Sequence, residues 1–388
     1  MQKEMVAWWA AGAMLFALGG VHSQVRAANL NDYVATGSFM PPVDPDRPNA
    51  LLMDTLPDGR LVVLAGTEVH VESDVASRSF DLLGELPDAD LSDFGAAFCR
   101  VSPDGTHIAV GNSGGASFVN YEVGVFNLKS LTGTWFTANH FDAEWIDNTH
   151  LVLTAGEFGS PATVTVLDAA SPDPMNPINP VIIENIGGAS SGVAFDADGN
   201  LFTGNGFAST GPSTTGAVKG FPRAEWMQAL GGGPIIDFEA AGALVVDVLS
   251  ASPLAFDGRG NLLVGGGDFN IAEVDFAALV RASTVRAALM GAPPADAGDP
   301  AQLRRLDPDA DNDFNFYAVN ANPVTNELYL LDAFASPNVY TYAVATPQVP
   351  TASTWSAIVA TLVLICAGAA GVRAPSTMKA PVPAPVER

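Results

Sequence analysis

Asp307-Pro308-Asp309-Ala310-Asp311-Asn312-Asp313 places a carboxylate at every second position. Asp307, Asp309, Asp311 and Asp313 could converge on one hard cation such as Ca²⁺, which takes about six to eight oxygen ligands. Without a cation, four carboxylates so close would repel one another. The segment is not a helix–loop–helix calcium loop. Asn312 stands at the sixth position where that loop needs Gly, and Ala318 stands at the twelfth where it needs Glu. A solvated acidic turn is the competing reading.

A second set recurs along the chain: Glu157-Phe158-Gly159-Ser160, Gly206-Phe207-Ala208-Ser209, Asp268-Phe269-Asn270 and Ala333-Phe334-Ala335-Ser336. Phenylalanines at equivalent places suggest aromatic wedges between neighbouring units. The chemical alternative puts Glu157, Asn205, Asp268 and Asp332 around one mouth of a central channel. Histidine chemistry has little support. Beyond the N-terminal segment there are only His70, His107, His140 and His150, and two of these fall at turn ends. No Gly-x-Ser-x-Gly elbow, His-Glu-x-x-His helix or Cys-x-x-Cys pair occurs. The triple glycines at 231–233 and 265–267 lack the strand-to-helix context of a phosphate loop.

These residues would be positioned by a repeat. Each copy has an apolar strand, a turn rich in Asp, Asn, Gly and Pro, and a second apolar strand. The copies are Leu51–Leu56 then Leu61–Leu64, Phe98–Val101 then Ile108–Val110, and Ala143–Ile146 then Leu151–Leu153. They continue with Gly192–Phe195 then Leu201–Thr203, Pro253–Phe256 then Leu262–Val264, and Phe316–Val319 then Leu328–Leu331. Asp-Gly and Asn-rich tips tolerate the positive φ of tight hairpins. A spacing of roughly 40 to 50 residues, longer in the last two intervals, with about four strands per unit marks β-propeller blades. The expectation is an all-β, six-bladed propeller over residues 29–345, with a seventh, poorly marked blade left open. Tyr33–Phe39 is expected to supply the fourth strand of the last blade and so close the ring. Pro222–Leu230 and Ala277–Met290 read as helical insertions, either projecting from the disc or packing over an edge as decoration.

The Ser102-Pro103-Asp104-Gly105 and Asp196-x-x-Gly199-Asn200 turns resemble those of WD40-like, NHL-like and gluconolactonase-like propellers. For the gluconolactonase-like group, the resemblance implies carboxylates and amides at the channel mouth binding a divalent metal.

Both ends read as addresses. Residues 1–27 have a short basic start, an apolar run from Met5 to Val21, and small residues at Ser23, Ala27 and Ala28, as a cleaved signal peptide has. At the other end, a linker over 346–355 carries Pro350-Thr351-x-Ser353-x-Trp355. An apolar run over 356–372 follows, then Arg373 and a tail to Arg388. The apolar run makes roughly 26 Å of helix, close to a bilayer core of about 30 Å. Trp355 would sit at one interface and Arg373, with the tail to 388, on the cytoplasmic side. The pattern resembles the IPTL-CTERM and PEP-CTERM sorting signals of bacteria. That resemblance implies recognition by an exosortase-type membrane protease and placement at the cell envelope.

The formal net charge is −25, from 42 acidic and 17 basic residues. Such a chain repels nucleic acid and anionic membrane surfaces. Cys366 lies in the tail run, so Cys99 has no partner for an internal disulfide and reads as a buried, inert thiol. The expected function is an exported, envelope-sorted binding or scaffold module for a protein or glycan partner, with catalysis the less favoured reading. The alternative is a divalent-metal-dependent, lactonase-like hydrolase with acidic ligands at the channel mouth. A third reading is a matrix component that self-associates with calcium.

Overall fold

The computed structural model describes residues 30–47, 50–87, 96–112, 122–155, 161–177, 179–187, 190–205, 216–248, 253–265, 277–296, 298–306, 316–332 and 337–345. The predicted signal peptide, sorting motif, tail helix, Asp307–Asp313 run and all four Phe-containing recurrences lie outside them. Among the described residues no helix is long and apolar enough to cross a membrane.

The described strands form six sheets, each a blade, and the six recurrences fall one in each. Blade 1 is Leu51–Thr55, Leu61–Ala65, Glu68–Glu72 and Phe80–Glu85. Blade 2 is Ala96–Val101, His107–Asn112, Glu122–Asn127 and Gly133–Thr137. Blade 3 is Asp142–Trp145, His150–Ala155, Ala162–Asp168 and Val181–Ile186. Blade 4 is Ser190–Phe195, Leu201–Asn205, Gly216–Phe221 and Ala243–Val248. Blade 5 is Leu254–Phe256, Leu262–Val264, Ala277–Val280 and Leu303–Leu306. Blade 6 is Phe316–Ala321, Leu328–Asp332, Asn338–Val344 and, from the N-terminal end of the fold, Tyr33–Phe39. The first strand of each blade packs against the first strands of the two blades beside it, and blade 6 returns to blade 1. The fold is a six-bladed β-propeller.

The turns explain why the hairpins form. In every blade an Asp or Asn opens the turn after the first strand and accepts backbone N–H groups two to four residues on. Asp58 takes Arg60, Asp104 takes Thr106, and Asp147 takes Thr149 and His150. Asp196 takes Asp198 and Asn200, Asp257 takes Arg259 and Asn261, and Asn322 takes Val324 and Thr325. Side chains that close a turn on their own backbone favour it over extended chain. Gly59, Gly105, Gly199 and Gly260 then adopt positive φ, and in blade 6 Asn326 does so. The second strands are mostly apolar because neighbouring blades cover both faces. Leu61, Val62 and Val63 are fully buried, and each such side chain contributes about 1.5–3 kcal/mol.

Ring closure follows the expectation. Tyr33–Phe39 pairs antiparallel with Asn338–Val344, with a bulge between Ala35 and Gly37. The Tyr33 hydroxyl donates to Asp257 in the turn of blade 5, and Arg304 donates to the carbonyls of Leu30 and Tyr33. On the other side of the seam Arg78 reaches from blade 1 to Glu327 of blade 6, at 2.6 Å. Its guanidinium also lies over the rings of Phe39 and Tyr329.

One expectation is corrected. Ala277–Met290 is not one helix: Ala277–Val280 is the third strand of blade 5, all four residues buried, and the helix is Ala282–Leu289. Four apolar residues in a row carry no period that separates strand from helix. Of the two readings for the helices, the structure shows packing over an edge. Each lies between the third and fourth strands of its own blade and packs on the outer strand of the blade before it in sequence. Arg223–Leu230 covers Val181–Ile186 of blade 3, burying Trp226 and Ala229. Ala282–Leu289 covers Ala243–Val248 of blade 4, burying Val285 and Ala288. Ile236–Asp237 adds a short parallel strand to the outer edge of blade 3. Exposed edges are thereby masked, which opposes edge-to-edge association.

Candidate functional site in the central channel

A cavity of about 260 Å³ opens where the first strands of all six blades end, on the side of the Asp- and Asn-rich turns. Blades 6, 1 and 3 contribute Asn320, Asp54, Thr55 and Glu144. Blades 3, 4 and 5 contribute Trp145, Ala194, Phe195, Ala255 and Phe256. One arc of the wall is therefore polar and the other apolar.

The polar arc is built from charges set among buried neighbours: Asp54 after Met53, Arg100 between Cys99 and Val101, and Glu144 between Ala143 and Trp145. Each reaches the next blade. Asp54 accepts from Asn320 Nδ2 of blade 6 at 2.6 Å, from Val101 N of blade 2 at 2.6 Å, and from its neighbour Thr55 N at 2.7 Å. Arg100 donates to the Ala143 carbonyl at 2.7 Å and to both oxygens of Asp142, at 2.8 and 3.0 Å. Asp142 in turn accepts from Val193 N of blade 4 at 3.1 Å. Trp145 Nε1 donates back to the Arg100 carbonyl. The chain of bonds links blades 6, 1, 2, 3 and 4.

Arg100 stays protonated. Burial pulls its pKa down, but Asp142, Glu144 and Asp54 more than offset this and raise it. Glu144 is different. Burial is the largest influence and Asp54 adds to it, while Arg100, with Nε 3.9 Å from Oε2, only partly opposes them. The carboxyl is pushed up to about 7. Asp54 is also raised, chiefly by burial. Among the described residues Arg100 is the only cation near these three carboxylates, and its best geometry is spent on Asp142. Cys99, beneath this layer, is buried, and burial with the nearby Asp54 raises its thiol, as expected of an inert residue.

Two of the sequence-predicted donors are described, and both fall elsewhere. Asn205 and Asp332 end the second strands of blades 4 and 6, opposite the starts of the first strands, and so lie at the other end of the channel from the cavity. Asn205 Oδ1 accepts from Ala217 N of its own blade at 2.7 Å, and Asp332 is buried. Glu157 and Asp268 lie outside the described residues, as do Asp307, Asp309, Asp311 and Asp313. Among the described residues no three His, Cys, Asp or Glu side chains are grouped to hold a metal ion. His107 and His150 begin second strands, as expected. His140 is buried between the carbonyls of Ala138 and Asn112, and burial pushes it down to about 4. Sequence reasoning missed Asp54, Arg100, Asp142, Glu144 and Asn320. Their signal was a polar residue inside an otherwise apolar first strand.

No protein-family model matches the chain, and no curated protein does. Solved structures match in outline. A chain of the mitotic checkpoint complex aligns at 14% identity and TM-score 0.47, over 83% of this chain and 94% of that one. The Cps50 (Swd1) β-propeller domain of Myceliophteria thermophila aligns at 10% and 0.46, over 80% and 99%. The holo pyranose dehydrogenase PQQ domain of Coprinopsis cinerea aligns at 11% and 0.49, over 80% and 97%. At these values the likenesses say nothing of what this chain binds.

Proposed function

We propose that the protein is an exported, envelope-sorted binding or scaffold module, and that its recognition surface is the turn-side mouth of the channel. The observation that carries the reading is the cavity to which all six blades contribute, with polar groups on one arc and apolar residues, three of them aromatic, on the other, in a ring latched shut between its ends. A few convergent polar groups beside apolar walls is the usual make-up of a recognition site. The tail pattern supports sorting by an exosortase-type protease, and the N-terminal segment supports export. The partner is a protein or a glycan.

The test is cross-linking of the full-length protein in the envelope fraction of its host, alongside Phe195→Ala and Phe256→Ala variants. A specific partner cross-linked by the wild type and lost in both variants supports the reading. An unchanged set of cross-links moves recognition away from the channel mouth. Mass analysis of the mature chain tests the address: loss of residues 1–27 and of the segment beyond Trp355 is expected.

A further inference from the structure

We infer that the channel cavity receives a primary ammonium group carried on a short apolar stem. This rests on the turn-side mouth being the recognition surface and names the chemistry recognised there. Three features of the cavity lead to it. The first is unbalanced charge. Asp54 and Glu144 both line the cavity, yet Arg100 is committed to Asp142 by two bonds of 2.8 and 3.0 Å and approaches Glu144 only to 3.9 Å. Two carboxylates then face the space without a full counter-charge, and an entering cation relieves both.

The second feature is the distribution of acceptors. Asp54 already takes three N–H bonds, and Glu144 Oε1 takes Trp145 N, which leaves Glu144 Oε2 and single lone pairs on separate blades. A guanidinium needs a parallel fork of two oxygens; an ammonium has three donors that swivel to scattered acceptors. A calcium ion would want about six to eight oxygens, and these few are partly spent on backbone N–H groups. The third feature is the opposite wall. Phe195 and Phe256 face the same space, and aromatic rings suit both an alkyl stem and a cation. The volume of about 260 Å³ is below the usual range of roughly 300 Å³ and more for drug-sized ligands, so the guest is small or is one side chain of a larger partner.

The ammonium is that of a free small amine or of a lysine side chain on a docked protein. Calorimetric titration of the full-length protein at pH 8 tests this with n-butylammonium chloride, n-butanol, calcium chloride and Nα-acetyl-lysine methylamide, with ionic strength held fixed. The expected result is binding of n-butylammonium at least roughly tenfold tighter than n-butanol. Glu144→Gln should weaken it roughly tenfold and Phe256→Leu severalfold, both variants keeping the near-ultraviolet spectrum of the wild type. Affinity should also rise from pH 6 to 8, as Glu144 loses its proton in the presence of Arg100, Asp54 and Asp142. Much tighter binding of the lysine derivative assigns the guest to a partner protein, and comparable binding assigns it to a free amine. Equal affinity for butanol, no effect of Glu144→Gln, or calcium displacing the amine at that residue overturns the inference. A cross-linked partner insensitive to Glu144→Gln and to n-butylammonium overturns it while leaving the module reading intact. Amine binding without any cross-linked partner does the reverse.

Discussion

The two arcs of the ring are joined in different ways. From blade 6 through blades 1, 2 and 3 to blade 4, first strands are latched by charged and polar side chains reaching the next blade. Between blades 4 and 5 the first strands meet through bare backbone. A Cβ on Gly192 would lie 2.6 Å from Leu254 N and 2.8 Å from the Cα of Pro253. Phe202 and Phe256 pack edge to face across the same joint, 4.9 Å apart. The two solutions have different costs. Close apolar packing leaves nothing behind in the channel. Polar latches fix direction and register but bring carboxylates into a space that holds one guanidinium, and the remaining charge gives the channel its chemistry.

The largest effect is expected from cutting a polar latch on one side only. Arg100→Ala leaves Asp142 buried without its cation and should cost about 3–5 kcal/mol in urea unfolding. Replacing the pair, Arg100→Met with Asp142→Leu, should recover part of that loss, because the Asp142 charge goes with its partner while Asp54 and Glu144 stay without the cation. A double variant as unstable as the single one would mean the latch matters for more than charge. The apolar joint should break by crowding: Gly192→Ala forces backbone apart and should cost about 2–3 kcal/mol. A loss below 1 kcal/mol would show that the blades can slide. At the seam, Tyr33→Phe removes the hydroxyl that Asp257, Asn261 and Asn326 share, and should cost about 1–2 kcal/mol. Faster proteolysis of the N-terminal strand would accompany it.

Much of this was legible in the sequence for a physical reason. A hairpin is specified locally, by an Asp or Asn that bonds its own turn and a residue that accepts positive φ, so the six first-and-second strand pairs could be read directly. The alternating Tyr33–Phe39 segment could be matched to the blade that lacked a strand. The channel was harder. Whether Glu144 faces solvent, a neighbouring blade or the channel depends on where Arg100 and Asp54 arrive from other blades, and no local pattern encodes that. Acidic residues were sought at loop tips, where they are common in a chain with 42 of them. The informative ones were polar residues set among buried apolar neighbours in the first strands, including two, Asp142 and Glu144, in one strand. Ala277–Val280 was misread because a buried strand and a buried helix segment have the same composition over four residues.

The claim that the polar arc leaves uncompensated charge in the channel is tested most directly by stability against pH for the wild type and Glu144→Gln. The folded protein holds the Glu144 proton up to about pH 7, whereas the unfolded chain releases it near the ordinary value of 4.5. Between these values the folded state binds more protons, so stability falls as pH rises and levels off above 7. The two curves should coincide below pH 4.5 and separate through pH 7. At pH 8 the variant should be more stable by about 1–2 kcal/mol, after allowing for the water that reaches the carboxylate. Parallel curves, or a wild type more stable than the variant at pH 8, would contradict the account.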